Sequence, residues 1–150
     1  MGRVELICAE ETSVLRQMVL RPTLSVDQVA MDHDGAEGTF HVGAMNDAGA
    51  VVAIMTVMRD SLPHNVPSTT MMAWRIRGMA SHPEWRGKGL GGAVLEFGMT
   101  HALGISEAII WCNARRVAYG FYERYGFGYG SEEFDIPGIG PHKVMLIDPG

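Results

Sequence analysis

The stretch HPEWRGKGLGGAVLEFGMTHA, residues His82 to Ala102, decides how the chain is read. Gly87, Gly89, Gly91 and Gly92 fall close together, with Arg86 and Lys88 among them, in a chain whose formal net charge is −5. Glycine has no Cβ, so such a run turns tightly and exposes successive backbone N–H groups. Leu90, Val94, Phe97 and Ala102 then recur at helical intervals. A helix beginning at the glycines would point its positive end at them, and that end favours an anion.

Three anion sites contain glycines in this manner. A P-loop requires Gly-x-x-x-x-Gly-Lys followed by Ser or Thr, and the pattern breaks where Leu90 follows Gly89. A dinucleotide fingerprint is matched literally by Gly87, Gly89 and Gly92, with Glu107 lying 20 residues past Gly87. That fingerprint needs a strand running directly into the glycines. Here HPEWR, with Pro83, intervenes, and Glu107 opens the next strand rather than closing it. The third site is a diphosphate cradle at a helix start, with Arg86 and Lys88 adding full charges. It is the reading the Arg-Gly-x-Gly-x-Gly run supports best; the alternative is a glycine turn whose cations are simply solvated.

The rest of the chain sets bounds on this reading. Its 150 residues suit one domain with a hydrophobic core, read as 1–150. Hydrophobic residues are 47% and charged residues 19%, which excludes a disordered chain. No apolar run approaches the ~20 residues of a membrane helix. MGRVELICAE lacks the layout of a signal peptide, and Leu6 stands where a myristoylated Gly2 would want Ser or Thr. Cys8 and Cys112 suit free thiols in a reducing compartment, so a cytoplasmic protein is expected. Their spacing is not that of a zinc site, and no metal is expected. The acidic balance argues against a nucleic-acid binder. The eleven methionines read as fillers of irregular core gaps.

Read in order, RVELICAE is a strand. ETSVLRQMVLR is a helix with Val14, Leu15, Met18 and Val19 on one face, Thr12 or Ser13 as cap and Pro22 as its stop. A short helical turn is expected near Val26–Ala30. GTFHVGAMN and AVVAIMTVMR form a hairpin through NDAGA. RDSLPHNVPSTT is a loop, and MMAWRIRGMAS a central strand with Trp74 and Ile76 facing away from the arginines. After the glycine-led helix, SEAIIWCN is a buried strand. ARRVAYGFYERY is a helix with Val117, Phe121 and Tyr125 on one side, stopped by Gly126. GFGYGSEEFDI and HKVMLID close the chain as two strands joined by PGIGP. This order predicts a mixed α/β fold with a mostly antiparallel sheet and one strand–helix–strand crossover.

At residues 74–127 the sequence resembles the GNAT superfamily of acyl-CoA-dependent N-acyltransferases. The family hallmark, Arg/Gln-x-x-Gly-x-Gly/Ala, is matched by Arg86, Gly87, Lys88, Gly89, Leu90 and Gly91. MASHPEWRGKGLG fits the segment before it, with Met79, Ala80 and Ser81 as the triplet that ends the strand. WCNARRVAYGFYERYGF is similar to the family's Asn…Tyr…Gly-Phe region, at slightly longer spacing, through Asn113, Tyr122, Gly126 and Phe127. The tail EEFDIPGIGPHKVM is similar to the Gly-Ile-Pro-His segment of the ElaA-like branch, with Gly140 between Ile139 and Pro141.

The resemblance implies a splayed central sheet flanked by helices, with acetyl-CoA as co-substrate. The amides of Arg86, Gly87, Lys88, Gly89, Leu90, Gly91 and Gly92 would take the diphosphate. Main-chain groups of Met79, Ala80 and Ser81 would pair with the pantetheine arm like an added strand, and Asn113, Phe121 and Tyr122 would also touch the cofactor. Transfer to an amine needs a neutral amine, a polarised carbonyl, alignment and a departing thiolate. The N–H near Met79 or Ala80 is the natural oxyanion donor. The resemblance gives Tyr122 the departing sulfur, the alternative being a tyrosine packed in the core; Tyr119 and Tyr125 share its helix. Asn113 either orients pantetheine or Tyr122, or caps the helix. Many family members carry a carboxylate base four residues before the triplet, where this chain has Arg75, which accepts no proton. His82, Glu84 and His64 are the nearby candidates, and a loop histidine in water is the alternative for His82. His142 would face the acceptor; Cys112 reads as a buried thiol.

Acceptor contacts are expected from residues 21–36, 59–70 and 131–142, whose acids are Asp27, Asp32, Asp34, Asp60, Glu132, Glu133 and Asp135. A small-molecule or peptide amine suits them, as does simple solvation. No membrane or nucleic-acid partner is expected, and a homodimer is left open. The expected activity is N-acetyl transfer; the rival is a noncatalytic acyl-CoA-binding or sensing module.

Overall fold

The computed structural model describes residues 3–64, 66 and 72–149. Residues 65 and 67–70 of the expected loop, and Met71 at the start of the expected central strand, lie outside the described residues. The chain divides into two compact units, Met1–Met58 with Arg77–Ile105, and Arg59–Ile76 with Ser106–Gly150.

The first unit holds strands β1 (Val4–Ile7) and β2 (Phe40–Met45), nearly all of β3 (Val51–Arg59), and the end of β4 (Ala73–Ser81). β1 pairs antiparallel with β2 (Ile7 opposite His41), and β2 with β3 (Phe40 opposite Val57). The hairpin forms at NDAGA as expected, because the Asn46 side chain accepts from the N–H groups of Ala48 (3.0 Å) and Ala50 (2.9 Å). β3 reads Val-Val-Ala-Ile-Met-Thr-Val-Met without polar alternation and is buried from Val52 to Met58. Such a run belongs to a strand covered on both faces. Helix α2 (Leu90–Ile105) packs on β1 and β2. Gly98 permits its close approach, since a Cβ there would lie 1.9 Å from Met55 Cε.

The helical run after β1 departs from the pattern of its apolar residues. It is a 3₁₀ turn (Ala9–Thr12), a single α turn, α1 (Ser13–Leu15), and a π turn (Arg16–Leu20). It begins before the expected caps. The Cys8 N–H donates to the Glu11 carboxylate at 3.0 Å, and the Thr12 hydroxyl turns back to the Ala9 carbonyl at 2.6 Å. Leu15 is buried as expected, but Val14 and Met18 are 57% and 39% exposed, whereas Arg16 is 1% exposed.

A buried polar network explains the exchange. Arg16 makes a two-pronged bond to Asp34 (2.6 and 3.0 Å) and donates to Thr56 Oγ1 at 2.8 Å. His41 Nε2 lies 3.1 Å from the Asp34 carbonyl, so that nitrogen carries the proton; Nδ1 accepts from the Thr56 hydroxyl at 2.8 Å. Fixing this guanidinium inside the unit turns the helical run away from the face its hydrophobic spacing would choose. Burial pushes the Asp34 carboxyl up, but hydrogen bonds from Arg16 and the Met31 N–H, with the charge of Arg16, outweigh it and hold it below the usual carboxylate range.

The second unit holds the start of β4, then β5 (Ile109–Arg115), α3 (Tyr119–Arg124), β6 (Gly128–Tyr129), β7 (Phe134–Ile136) and β8 (Gly140–Ile147). β4 and β5 are parallel through Ala73–Ile109, Trp74–Ile110 and Arg75–Trp111, the first three residues of each strand. β5 runs antiparallel to β8 from Ile110–Ile147 to Arg115–His142, and β8 also pairs with β6 and β7. Each of these pairings except β4–β5 is antiparallel, so the fold is mixed α/β and largely antiparallel. A parallel pair needs a long crossover, and the segment carrying α2 supplies it. Trp74 is fully buried under the Arg59 guanidinium (4.2 Å) and donates to the Ser106 carbonyl at 2.9 Å. Trp111 donates to the Asp60 carbonyl at 2.9 Å.

Two expectations change here. The closing pair of strands is three, because Ser131-Glu132-Glu133 interrupts the first and Ser131 Oγ accepts the Val144 N–H at 2.9 Å. β5 continues through Asn113 to Arg115, held by β8, so Asn113 is a strand residue and not a helix cap. The helical phase shifts with it. Val117 is 94% exposed, and Tyr122 is the residue of α3 that is buried.

Replacing Asp34 by Ala strands a buried cation, and should cost about 3–5 kcal/mol in denaturant unfolding. The carboxyl is held down in the folded state, so its contribution is full above the unfolded value of about 3.9 and fades as pH falls below it. Wild-type stability should therefore drop on acidification through that range, and the Asp34→Ala variant should lack that share of the drop.

Candidate active site

The glycine cradle lies in the first unit. β4 ends at Ser81, and the His82 N–H bonds the Val52 carbonyl at 2.8 Å. A 3₁₀ turn (Pro83–Trp85) follows, capped by His82, whose Nδ1 accepts the Glu84 N–H at 3.1 Å. Gly87 and Gly89 have φ of +79° and +77°, values that residues with a Cβ rarely adopt, and nothing lies within 4 Å of where a Cβ would stand. α2 starts at Leu90, and the N–H of Ala93 is the one that reaches the Gly89 carbonyl, at 3.0 Å. The N–H groups of Leu90, Gly91 and Gly92 precede it and are the helix's first-turn donors. Arg86 and Lys88 are exposed, and Lys88 Nζ lies 5.7 Å from the Trp85 ring centroid. Backbone donors, a helix dipole and two cations thus meet where the chain is bare of side-chain bulk. Met79 and Ser81 are partly buried and Ala80 is buried. Gly78 before them has φ of +61°, and a Cβ there would lie 3.6 Å from Arg16 Nε.

Tyr122 belongs to the second unit. Its ring packs on Phe121 and Phe127, each at 5.2 Å. Its hydroxyl lies beside the Cys112 thiol of β5. Burial, then the neighbouring thiol, push the phenol well above the ordinary tyrosine value. Burial pushes the Cys112 thiol up to about 12, against the pull of the Tyr122 hydroxyl and the Arg75 charge. Cys112 is therefore a buried, neutral thiol, as expected from its apolar surroundings. Asn113 alternates to the opposite face of β5 from Cys112.

The base candidates separate by hydrogen bonding. Arg75 is committed to Asp60 at 3.0 Å. His82, with Nδ1 accepting a backbone N–H, carries its neutral-form proton on Nε2 and presents no lone pair there. Glu84 and His64 are exposed. His142 is 4% exposed, with Nδ1 at 2.7 Å from the Gly140 carbonyl and its ring on Phe134. Of the acids expected at the acceptor, three are already engaged: Asp34 by Arg16, Asp60 by Arg75, and Glu133 by Arg116 and the Tyr119 hydroxyl. Asp27, Asp32, Glu132 and Asp135 are exposed.

The chain is similar to known proteins over most of its length. The acetyltransferase (GNAT) domain family matches residues 36–128. The uncharacterized N-acetyltransferase YitI of Bacillus subtilis (strain 168) is 35% identical over 145 residues, 97% of this chain and 95% of that one. Two solved structures share the fold. Escherichia coli ElaA is 15% identical with a TM-score of 0.74, covering 97% of this chain and 99% of that one. The E. coli protein YhbS, in complex with CoA, is 17% identical with a TM-score of 0.70, covering 95% of this chain and 79% of that one. Among the described residues, no helix is long and apolar enough to cross a membrane.

A thiol reagent distinguishes the two cysteines. Cys8 is exposed and Cys112 buried. In native protein at mildly alkaline pH, Ellman's reagent should titrate one thiol per chain, and two after denaturation. Two native thiols would contradict the burial of the Tyr122–Cys112 pair.

Proposed function

We propose that this chain, which belongs to the GNAT acetyltransferase family, moves an acetyl group from acetyl-CoA to a primary amine by direct attack. The observation that carries the reading is the backbone at Gly87 and Gly89, open at both positions and leading into the free first turn of α2. That arrangement fits a diphosphate, and it would be an odd one for a merely structural turn.

In this reading the amides of Arg86 to Gly92 hold the diphosphate, with Arg86 and Lys88 adding charge. Main-chain groups of Met79 and Ser81 pair with the pantetheine arm, with Asn113 and Phe121 as further contacts, and the N–H of Met79 or Ala80 steadies the oxyanion. Tyr122 serves the departing sulfur. Its phenol is held above the ordinary tyrosine value, whereas a thiol ionises at about 8.5. Full proton transfer from phenol to thiolate is uphill, so Tyr122 acts as a hydrogen-bond donor that steadies the thiolate as it leaves. The acceptor is a small-molecule or peptide amine. His82, whose Nδ1 is used as a turn cap, and exposed Glu84 are the lesser candidates for the base. One exposed and one buried thiol suit a reducing, cytoplasmic setting.

One observation favours a noncatalytic acyl-CoA-binding module instead: Arg75 stands where many relatives place a carboxylate, and it is spent on Asp60. Thiol release from acetyl-CoA with spermidine, tyramine and L-lysine methyl ester separates the two. Turnover of one of these amines, lowered about 100-fold in Tyr122→Phe with CoA affinity kept, is the expected outcome. Tight CoA binding without turnover would favour the module. Gly89→Glu, which sets bulk and negative charge in the cradle, should weaken CoA binding by more than about 100-fold, or ~2.7 kcal/mol, in calorimetry. Unchanged affinity would remove the cradle from the account.

A further inference from the structure

We propose that His142 is the general base that takes the proton of the attacking amine, through Nε2. The inference rests on the acetyl-transfer reading above and fills the place that Arg75 leaves open.

A backbone contact sets the tautomer of His142. A carbonyl oxygen only accepts, so the 2.7 Å contact between His142 Nδ1 and the Gly140 carbonyl fixes the neutral-form proton on Nδ1. Nε2 then carries the lone pair. Two other histidines with hydrogen-bonded ring nitrogens do not offer this. His82 uses Nδ1 to accept the Glu84 N–H. His41 is bonded at both nitrogens, to the Thr56 hydroxyl and the Asp34 carbonyl. The His142 ring is also held in place. It is 4% exposed and lies 6.1 Å from the Phe134 ring, with 26° between their planes. A base whose orientation is set before the amine arrives needs no reorganisation to act.

The strand register supplies the second observation. Residues directly opposite in an antiparallel pair share a face, and successive residues alternate. Cys112 opposes Met145 and Ala114 opposes Lys143; Asn113 opposes Val144 and Arg115 opposes His142. The Tyr122 hydroxyl lies beside Cys112, and Lys143 Nζ lies over the Tyr119 and Tyr129 rings, so α3 covers the first face. His142 stands on the other. Direct attack needs its two proton-handling groups apart, one with the amine and one with the sulfur. Tyr122 and His142 occupy opposite faces of the same strand pair. The charged group opposite His142 is Arg115 on β5; from β7 its neighbour is Phe134, which does not titrate.

The step balances without another reagent. The amine lone pair forms the C–N bond, and the C–S electrons leave with the CoA sulfur. The amine proton passes to Nε2. The imidazolium returns that proton to water, and the thiolate, hydrogen-bonded by Tyr122, takes one up.

The test compares wild type, His142→Gln and His142→Ala on the best amine of the panel. His142→Gln should lower kcat about 100-fold or more while the KM for acetyl-CoA stays within about twofold, and the acid limb of the kcat/KM profile should vanish. Added imidazole should restore about tenfold or more of the activity to His142→Ala, in proportion to its unprotonated fraction. A purely structural histidine would show no such rescue. Nitrogen-15 spectra of histidine-labelled wild type should show the Nδ1–H tautomer at His142, a readout that depends on neither turnover nor a variant's folding. Wild-type rate and acid limb in His142→Gln, or an Nε2–H tautomer, overturns this inference and leaves the acetyl-transfer reading standing. Absence of wild-type turnover on the whole panel overturns both.

Discussion

A backbone conformation is what the functional account depends on. Gly87 and Gly89 both take positive φ within three residues, and neither position has a neighbour that would fill the space of a side chain. Left-handed backbone costs roughly 1–2 kcal/mol per residue once a Cβ is present. Glycine removes that cost and, at the same stroke, removes the bulk that would shield the amides. The same two residues therefore permit the turn and leave its donors bare. α2 contributes the remaining donors because its first turn has no residues behind it to accept from. The acidity of the whole chain does not disturb this, since the local charges are Arg86 and Lys88.

The buried polar groups divide by what their partners leave over. Arg16 is neutralised by Asp34 and braced by Thr56, which itself bonds His41, so that cluster ties the helical run and the following segment to β2 and β3. It is a structural network in which the donors and acceptors are nearly all spent. Tyr122 and Cys112 are different. Both are buried and neutral, and they lie beside one another. His142 is different again, with one nitrogen bound by the chain and the lone pair on the other.

The glycine turn and the helix after it were legible in the sequence because their signals are local. Glycine spacing, flanking cations and the helical recurrence of Leu90, Val94 and Ala102 lie in one short segment, and the structure assembles them in order. The hairpin at Asn46 and the stop at Gly126 were legible for the same reason. What escaped was set by partners far along the chain. The apolar spacing of Val14 and Met18 pointed inward, but a partner 18 residues from Arg16 reversed the face. The end of β5 was read as helix because helical propensity in ARRVAY is local, whereas the pairing of Arg115 with His142 is not. That slip also misplaced Val117 and hid the contact between Tyr122 and Cys112. No spacing rule joins residues whose meeting depends on strand register.

The most direct measurement is a nitrogen-15 amide spectrum of the protein titrated with CoA. The account predicts that the largest shifts fall on the N–H groups of Gly87, Gly89, Gly91 and Gly92, moving together and saturating with one CoA per chain. Saturable binding that leaves those four amides unmoved, or no binding at all, would contradict it.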